Sequence, residues 1–129
     1  MPPETPLAAL VLLLLLQAKH ALCDGPLQTS WMVQQKGYYG RTGGLVHAAI
    51  HGAGSLVAVL VFSMAALPAL ALALVDGVIH YHIDFAKETL VRRNGWTTHV
   101  PQFWWALQAD QMIHHITYVA VAAAVFVWF

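Results

Sequence analysis

Four pairs of ionisable side chains interrupt an otherwise apolar chain: His20 with Asp24, His47 with His51, His80 with Asp84, and Asp110 with His114. Each pair has the spacing i, i+4, which on a helix puts both members on one face, one turn apart. A His pair at this spacing can hold an ion from a single helix. Imidazole and carboxylate on facing helices are also how carboxylate-bridged dinuclear centres are assembled in helical bundles. Mixed nitrogen and oxygen donors suit Zn, Mn or Fe better than Mg or Ca. Such an ion lowers the pKa of a bound water toward about 7 and so supplies hydroxide at neutral pH. The candidate ligands are therefore His20, His47, His51, His80 and His114 through nitrogen, and Asp24, Asp84 and Asp110 through oxygen. His82 and His115 point away from the pairs beside them and rank second, and His99 reads as a loop residue. No serine falls at the depth and face that a Ser-His-Asp triad needs.

The elements that carry these residues are hydrophobic segments. The chain has 129 residues, 59% hydrophobic and 9% charged, against roughly 45–50% and about 25% in soluble domains. Its mean hydropathy is +0.62. Segments at 6–24, 43–63, 65–90 and 102–129 each approach or exceed the roughly 20 apolar residues of a spanning helix. The expectation is an all-α, polytopic membrane protein, a single domain over 1–129 with four transmembrane helices in an up-down bundle. A tight turn ending at Pro68 joins the middle two, and a short interfacial helix is expected inside the 25–42 loop. The first segment reads as a span and not as a cleaved leader. "MPPETP" carries no positive charge, Lys19 and His20 stand where small residues would precede cleavage, and Leu22 precedes Cys23 where a lipoprotein signal needs a small residue. A lone cysteine forms no internal disulfide.

Direction follows from charge. All six Lys and Arg (Lys19, Lys36, Arg41, Lys87, Arg92, Arg93) lie at the ends of the odd segments or in the two longer loops. The positive-inside rule puts those loops in the cytoplasm and both termini on the non-cytoplasmic side. Trp31, Tyr38, Tyr39, Trp96, Trp104 and Trp105 fit an aromatic belt at the cytoplasmic interface, with Trp128 and Phe129 at the opposite one. In this arrangement the four ionisable pairs meet at one depth in the cytoplasmic half. A charged side chain at a helix centre costs roughly 2.5–3.5 kcal/mol on insertion scales. Converging inside the bundle relieves that cost, whereas facing lipid does not.

The pieces "KHALCDGPLQTSWM", "HAAIH", "HYHIDFAK" and "DQMIH", in this order and spacing, resemble DUF3307, a bacterial and phage family of small membrane proteins whose function is not assigned. The likeness covers about residues 10–120. It implies a polytopic protein of the bacterial inner membrane and supplies no activity. The chain departs from the family pattern at Lys19 ahead of His20, and at Asp76.

Chemistry must come from the residues. The leading reading is a metal site supporting hydrolysis of a lipid-type ester or phosphodiester, with Lys87, Arg92 and Arg93 attracting an anionic headgroup. Its competitors are a proton or divalent-cation pathway, an accessory subunit of a larger membrane complex that uses its tryptophans as anchors, and a purely structural polar core. Interhelical hydrogen bonds in membranes return only about 0.6 kcal/mol on average, little for so many ionisable groups. The density of carboxylates argues against haem. Formal net charge is zero, which gives no support to a nucleic-acid partner. The lipid bilayer is the expected environment.

Overall fold

The computed structural model describes residues 6–62 and 65–128. Phe129, the Trp128 side chain, residues 1–5 and the first part of the expected turn (Ser63, Met64) lie outside the described residues. The fold is all-α: α1 (Pro6–Asp24), α2 (Ser30–Gln35), α3 (Thr42–Leu60), α4 (Ala66–Asn94) and α5 (Pro101–Trp128). No strand occurs among the described residues. All but α2 are long and apolar enough to cross a membrane.

Local signals set the boundaries. The leucine run of α1 ends at Asp24, just before Gly25 and Pro26. Thr29 caps α2, its hydroxyl accepting from Met32 N at 3.4 Å, which satisfies one of the donors left free at a helix start. Pro68 falls in the first turn of α4, where a missing N–H costs nothing. That helix continues past residue 90 through "VRRN" and stops only where Gly95 adopts φ +63. There Gly95 N donates to Arg92 O, and Trp96 N to Val91 O, closing the last turn. The short interfacial helix expected in the first loop is α2.

Each long helix buries one stripe. In α1 it runs Ala8, Leu12, Leu16, Lys19, His20, Cys23. In α4 it is Ala69, Ala73, Asp76, His80, Asp84, and in α5 Asp110, His114, Tyr118, Val121, Val125. The remaining faces expose leucine and valine such as Leu10, Leu14, Val57, Leu74 and Val119, as lipid contact requires. Helices α1, α3, α4 and α5 close a four-sided ring in which α1 touches α3 and α5, and α4 touches the same two. Their directions alternate, because the ends of α1 and α4 meet the starts of α3 and α5. With lipid as apolar as leucine, close packing rather than water exclusion must hold the helices together. It is closest between α3 and α4. A Cβ added to Gly52 would lie 3.1 Å from Ala73 O, and one added to Gly77 3.3 Å from Ala48 O. The "HGAGS" stretch thus permits the approach that its small residues suggest. One end of the ring is filled by Leu12, Leu16, Val59, Phe62, Ala69 and Val125. The other end holds the polar residues.

Candidate metal centre

All eight residues expected to converge do so, in one connected cluster at the end of the ring that faces α2. Seven of them are buried, and Asp24 alone is part-exposed, its side chain at 23%. His47 Nε2, His80 Nε2 and Asp84 Oδ2 form a triangle with every side 3.3 Å. Asp24 Oδ1 lies beside it, 3.1 Å from His47 Nε2 and 3.0 Å from His51 Nε2. The other Asp84 oxygen, Oδ1, is 3.3 Å from His114 Nε2, which is itself 3.5 Å from Asp110 Oδ1. Two groups of donors come close enough to hold an ion, Asp24/His47/His51/His80 and His80/Asp84/His114.

The histidines differ in where their protons must sit. His20 Nε2 faces two oxygens, Asp24 Oδ2 at 3.0 Å and Gln111 Oε1 at 2.9 Å, while its Nδ1 lies 2.5 Å from the Tyr118 hydroxyl. The amide oxygen can only accept, so Nε2 carries the proton and Nδ1 receives the phenolic O–H. His51 Nδ1 faces the Lys19 ammonium at 3.4 Å. An ammonium only donates, so the proton of a neutral His51 sits on Nε2 and is given to Asp24. By contrast, His47 Nδ1 and His80 Nδ1 are buried without a hydrogen-bond partner, and so is Asp110 Oδ1. The rings of His51, His80 and His114 form a stack, with centroids 3.5 Å apart at 22° and 4.1 Å apart at 26°.

Two lysines enter the site from places that composition alone assigned to the positive side of the membrane. Lys36, just after α2, is 6% exposed and puts its Nζ 2.8 Å from Asp84 Oδ2. It approaches off the direction of a hydrogen bond, since that oxygen has no directed partner, so the contact is an ion pair. Lys19 is buried in the ring, 3.0 Å from Asp76 Oδ2, which also accepts from Ser55 Oγ at 2.6 Å. Lys19 and Lys36 therefore do not mark an aqueous surface. Met32 and Lys36 lie four apart and are both buried. That spacing on a short amphipathic helix was the available signal for Lys36. For Lys19 the signal was Asp76 itself, an acid in an apolar stretch that needs a cation.

Other expectations resolve differently. Gln28 donates to the Asp24 backbone oxygen at 2.9 Å and not to the carboxylate. Lys87 pairs with Glu88, and Arg92 donates to Gly37 O at 2.9 Å while stacking on Tyr38, so these two cations are already engaged, whereas Arg93, exposed like Arg92, has no described contact. His82 is exposed against Tyr39 and Val78 O, and His99 lies in the 95–100 loop. Cys23 is a buried thiol 3.9 Å from Ile50 O, apart from the ligand atoms.

A family model described as a protein of unknown function (DUF3307) matches residues 10–129, so the chain belongs to that family. No curated protein and no solved structure matches it.

Proposed function

We propose that this member of the DUF3307 family binds a divalent transition metal (Zn, Mn or Fe) within its His/Asp cluster and uses it to hydrolyse a lipid-type ester or phosphodiester. One observation carries the metal reading. A tetrahedral ion with bonds of about 2.0–2.1 Å separates its ligand atoms by about 3.3–3.4 Å, and the His47, His80 and Asp84 atoms form a triangle of 3.3 Å sides. Two imidazole nitrogens 3.3 Å apart make a poor hydrogen bond but a good pair of ligands. Asp24 Oδ1, 3.1 Å from His47 Nε2, groups with both of these histidines and would be the fourth ligand. Asp24 ends α1, where the helix dipole disfavours an anion, so a cation there relieves two costs at once. His20 and His51, holding their protons at Nε2, orient the Asp24 carboxylate in the way outer partners orient metal ligands.

Bound there, an ion would supply a hydroxide nucleophile at neutral pH. The chain's own residues do the rest. Asp24, the part-exposed member of the cluster, would be the edge through which water enters. A groove of about 530 Å³ between α4 and α5 is walled by Ile79, Ile83, Leu90 and Ile113, with Asp110 and Lys87 among its polar lining. An acyl chain lying in that groove would bring its headgroup linkage to the cluster from the side of the membrane. The accompanying topology places the α2 side in the cytoplasm of a bacterial inner membrane, by the positive-inside rule, through Arg41, Arg92 and Arg93.

Elemental analysis of detergent-purified protein tests this reading. Bound transition metal is expected, with loss of at least tenfold in affinity in His47→Ala and His80→Ala. Metal-free protein that takes up no Zn, Mn or Fe would sink it.

A second reading has its own observation. The chain Asp24, His51, Lys19, Asp76, Ser55 continues the polar contacts from the cluster into the apolar half of the ring, as a proton or cation pathway would. Proton uptake into proteoliposomes lost in Asp76→Asn, with metal content unchanged, would favour it.

A further inference from the structure

The cluster contains more donors than one ion can use, and their directions separate them into two sets. An imidazole nitrogen offers its lone pair in the plane of its ring. Stacked rings therefore aim their lone pairs side by side and do not converge on one point. His80 and His114 are stacked, 4.1 Å apart at 26°, whereas the planes of His47 and His80 cross at 51° and their Nε2 atoms approach to 3.3 Å. His47 and His80 can thus share an ion, and His114 must serve another. Asp84 joins the sets, since Oδ2 faces His47 and His80 while Oδ1 faces His114. Next to His114 stands Asp110, a carboxylate 4% exposed whose Oδ1 is buried with no hydrogen-bond partner.

Resting on the metal reading above, we propose that the centre is dinuclear: one ion held by His47, His80, Asp24 and Asp84 Oδ2, a second by His114, Asp110 and Asp84 Oδ1, with the Asp84 carboxylate as the bridge. The His80 and His114 rings lie 4.1 Å apart, so ions held in their planes would stand close to the roughly 3.5–4 Å of two-metal hydrolytic sites. His51 is stacked on His80 and faces Lys19, so it is a positioning residue and not a ligand. Two dications against three carboxylates and the Lys36 ammonium leave net positive charge. A bridging hydroxide and an anionic group of the substrate would meet it, which favours a phosphodiester of a lipid headgroup over a neutral ester. In that reaction the hydroxide oxygen forms a new bond to phosphorus as the bond to the leaving alcohol breaks, and the alcohol takes its proton from water at the Asp24 edge.

Co(II) titration of the full-length, detergent-solubilised protein tests the pair. Stoichiometry comes from elemental analysis, and magnetic coupling from electron paramagnetic resonance. The expected result is about two Co(II) per chain, with the signal of the first ion attenuated as the second binds. His114→Gln and Asp110→Asn should each hold about one ion with an unattenuated signal, and His51→Gln should keep both. Size exclusion and helical circular dichroism establish that each variant is folded. One ion in the unmodified chain would overturn the pair yet leave the metal centre standing. No ion at all would remove both. Two ions without coupling would overturn the Asp84 bridge, and loss of an ion in His51→Gln would overturn the role given to that residue.

Discussion

Lys19 and Asp76 are each odd in the sequence, a cation and an acid within apolar stretches. The structure pairs them at 3.0 Å, with Asp76 1% exposed. Removing one partner of a buried ion pair strands the other. Lys19→Met should therefore destabilise the protein by about 3 kcal/mol, read as a lower melting temperature in detergent. Lys19→Met combined with Asp76→Leu should recover most of that, and failure of the double variant to recover would show that the pair is not the source. Tyr118→Phe leaves His20 Nδ1 without its 2.5 Å contact and should cost about 1 kcal/mol. The i, i+4 spacing put each pair on one helical face, and alternating helix direction brought the four pairs to one depth. It could not say which imidazoles keep a proton on Nε2, because Lys19, Gln111 and Tyr118 decide that from other turns and other helices.

Helix α2 was legible as a short element between turn signals, but the cation it brings to the cluster was not. Lys36, just after it, reaches Asp84 across a fold-level contact that no local pattern encodes. If that ammonium competes with a metal for Asp84 Oδ2, Lys36→Met should bind Co(II) about tenfold more tightly, or ~1.4 kcal/mol. Weaker binding would instead make Lys36 part of the site's support. The α3–α4 contact makes a separate prediction. Gly77 lies against Ala48 O and is three residues from His80, and Ala48 adjoins His47. Gly77→Leu overfills this crossing, costing about 1–3 kcal/mol. It should also lower metal content by moving His47 and His80 apart, measured by elemental analysis on folded protein. The end of α1 was readable from the Gly25-Pro26 turn signal that follows Asp24. The end of α4 was not, because hydropathy stops at the arginines while the backbone continues to Gly95.

For the molecule as a whole, composition alone dictated helices long and apolar enough to cross a membrane, and successive spans alternate in direction. The side of each loop is testable because the native Cys23 is buried. Thr97→Cys should react with an impermeant maleimide only in inverted vesicles, and Leu67→Cys, 77% exposed near the α3–α4 connection, only in intact cells. The reverse pattern would invert the proposed topology. The four spanning helices are also unequal. α1 and α3 have 19 residues each, α4 and α5 have 29 and 28, or about 28 Å against about 42–44 Å of rise. A hydrocarbon layer of about 30 Å is then barely matched by the short pair, whereas α4 carries its charged end, with Lys87, Glu88, Arg92 and Arg93, past its apolar stretch. A bilayer thicker than the short pair would have to thin beside α1 and α3, while the long pair can stay upright with its polar end outside the hydrocarbon. Reconstitution in lipids of graded acyl length should reveal an optimum on the short side, with the chain losing thermal stability as the tails lengthen.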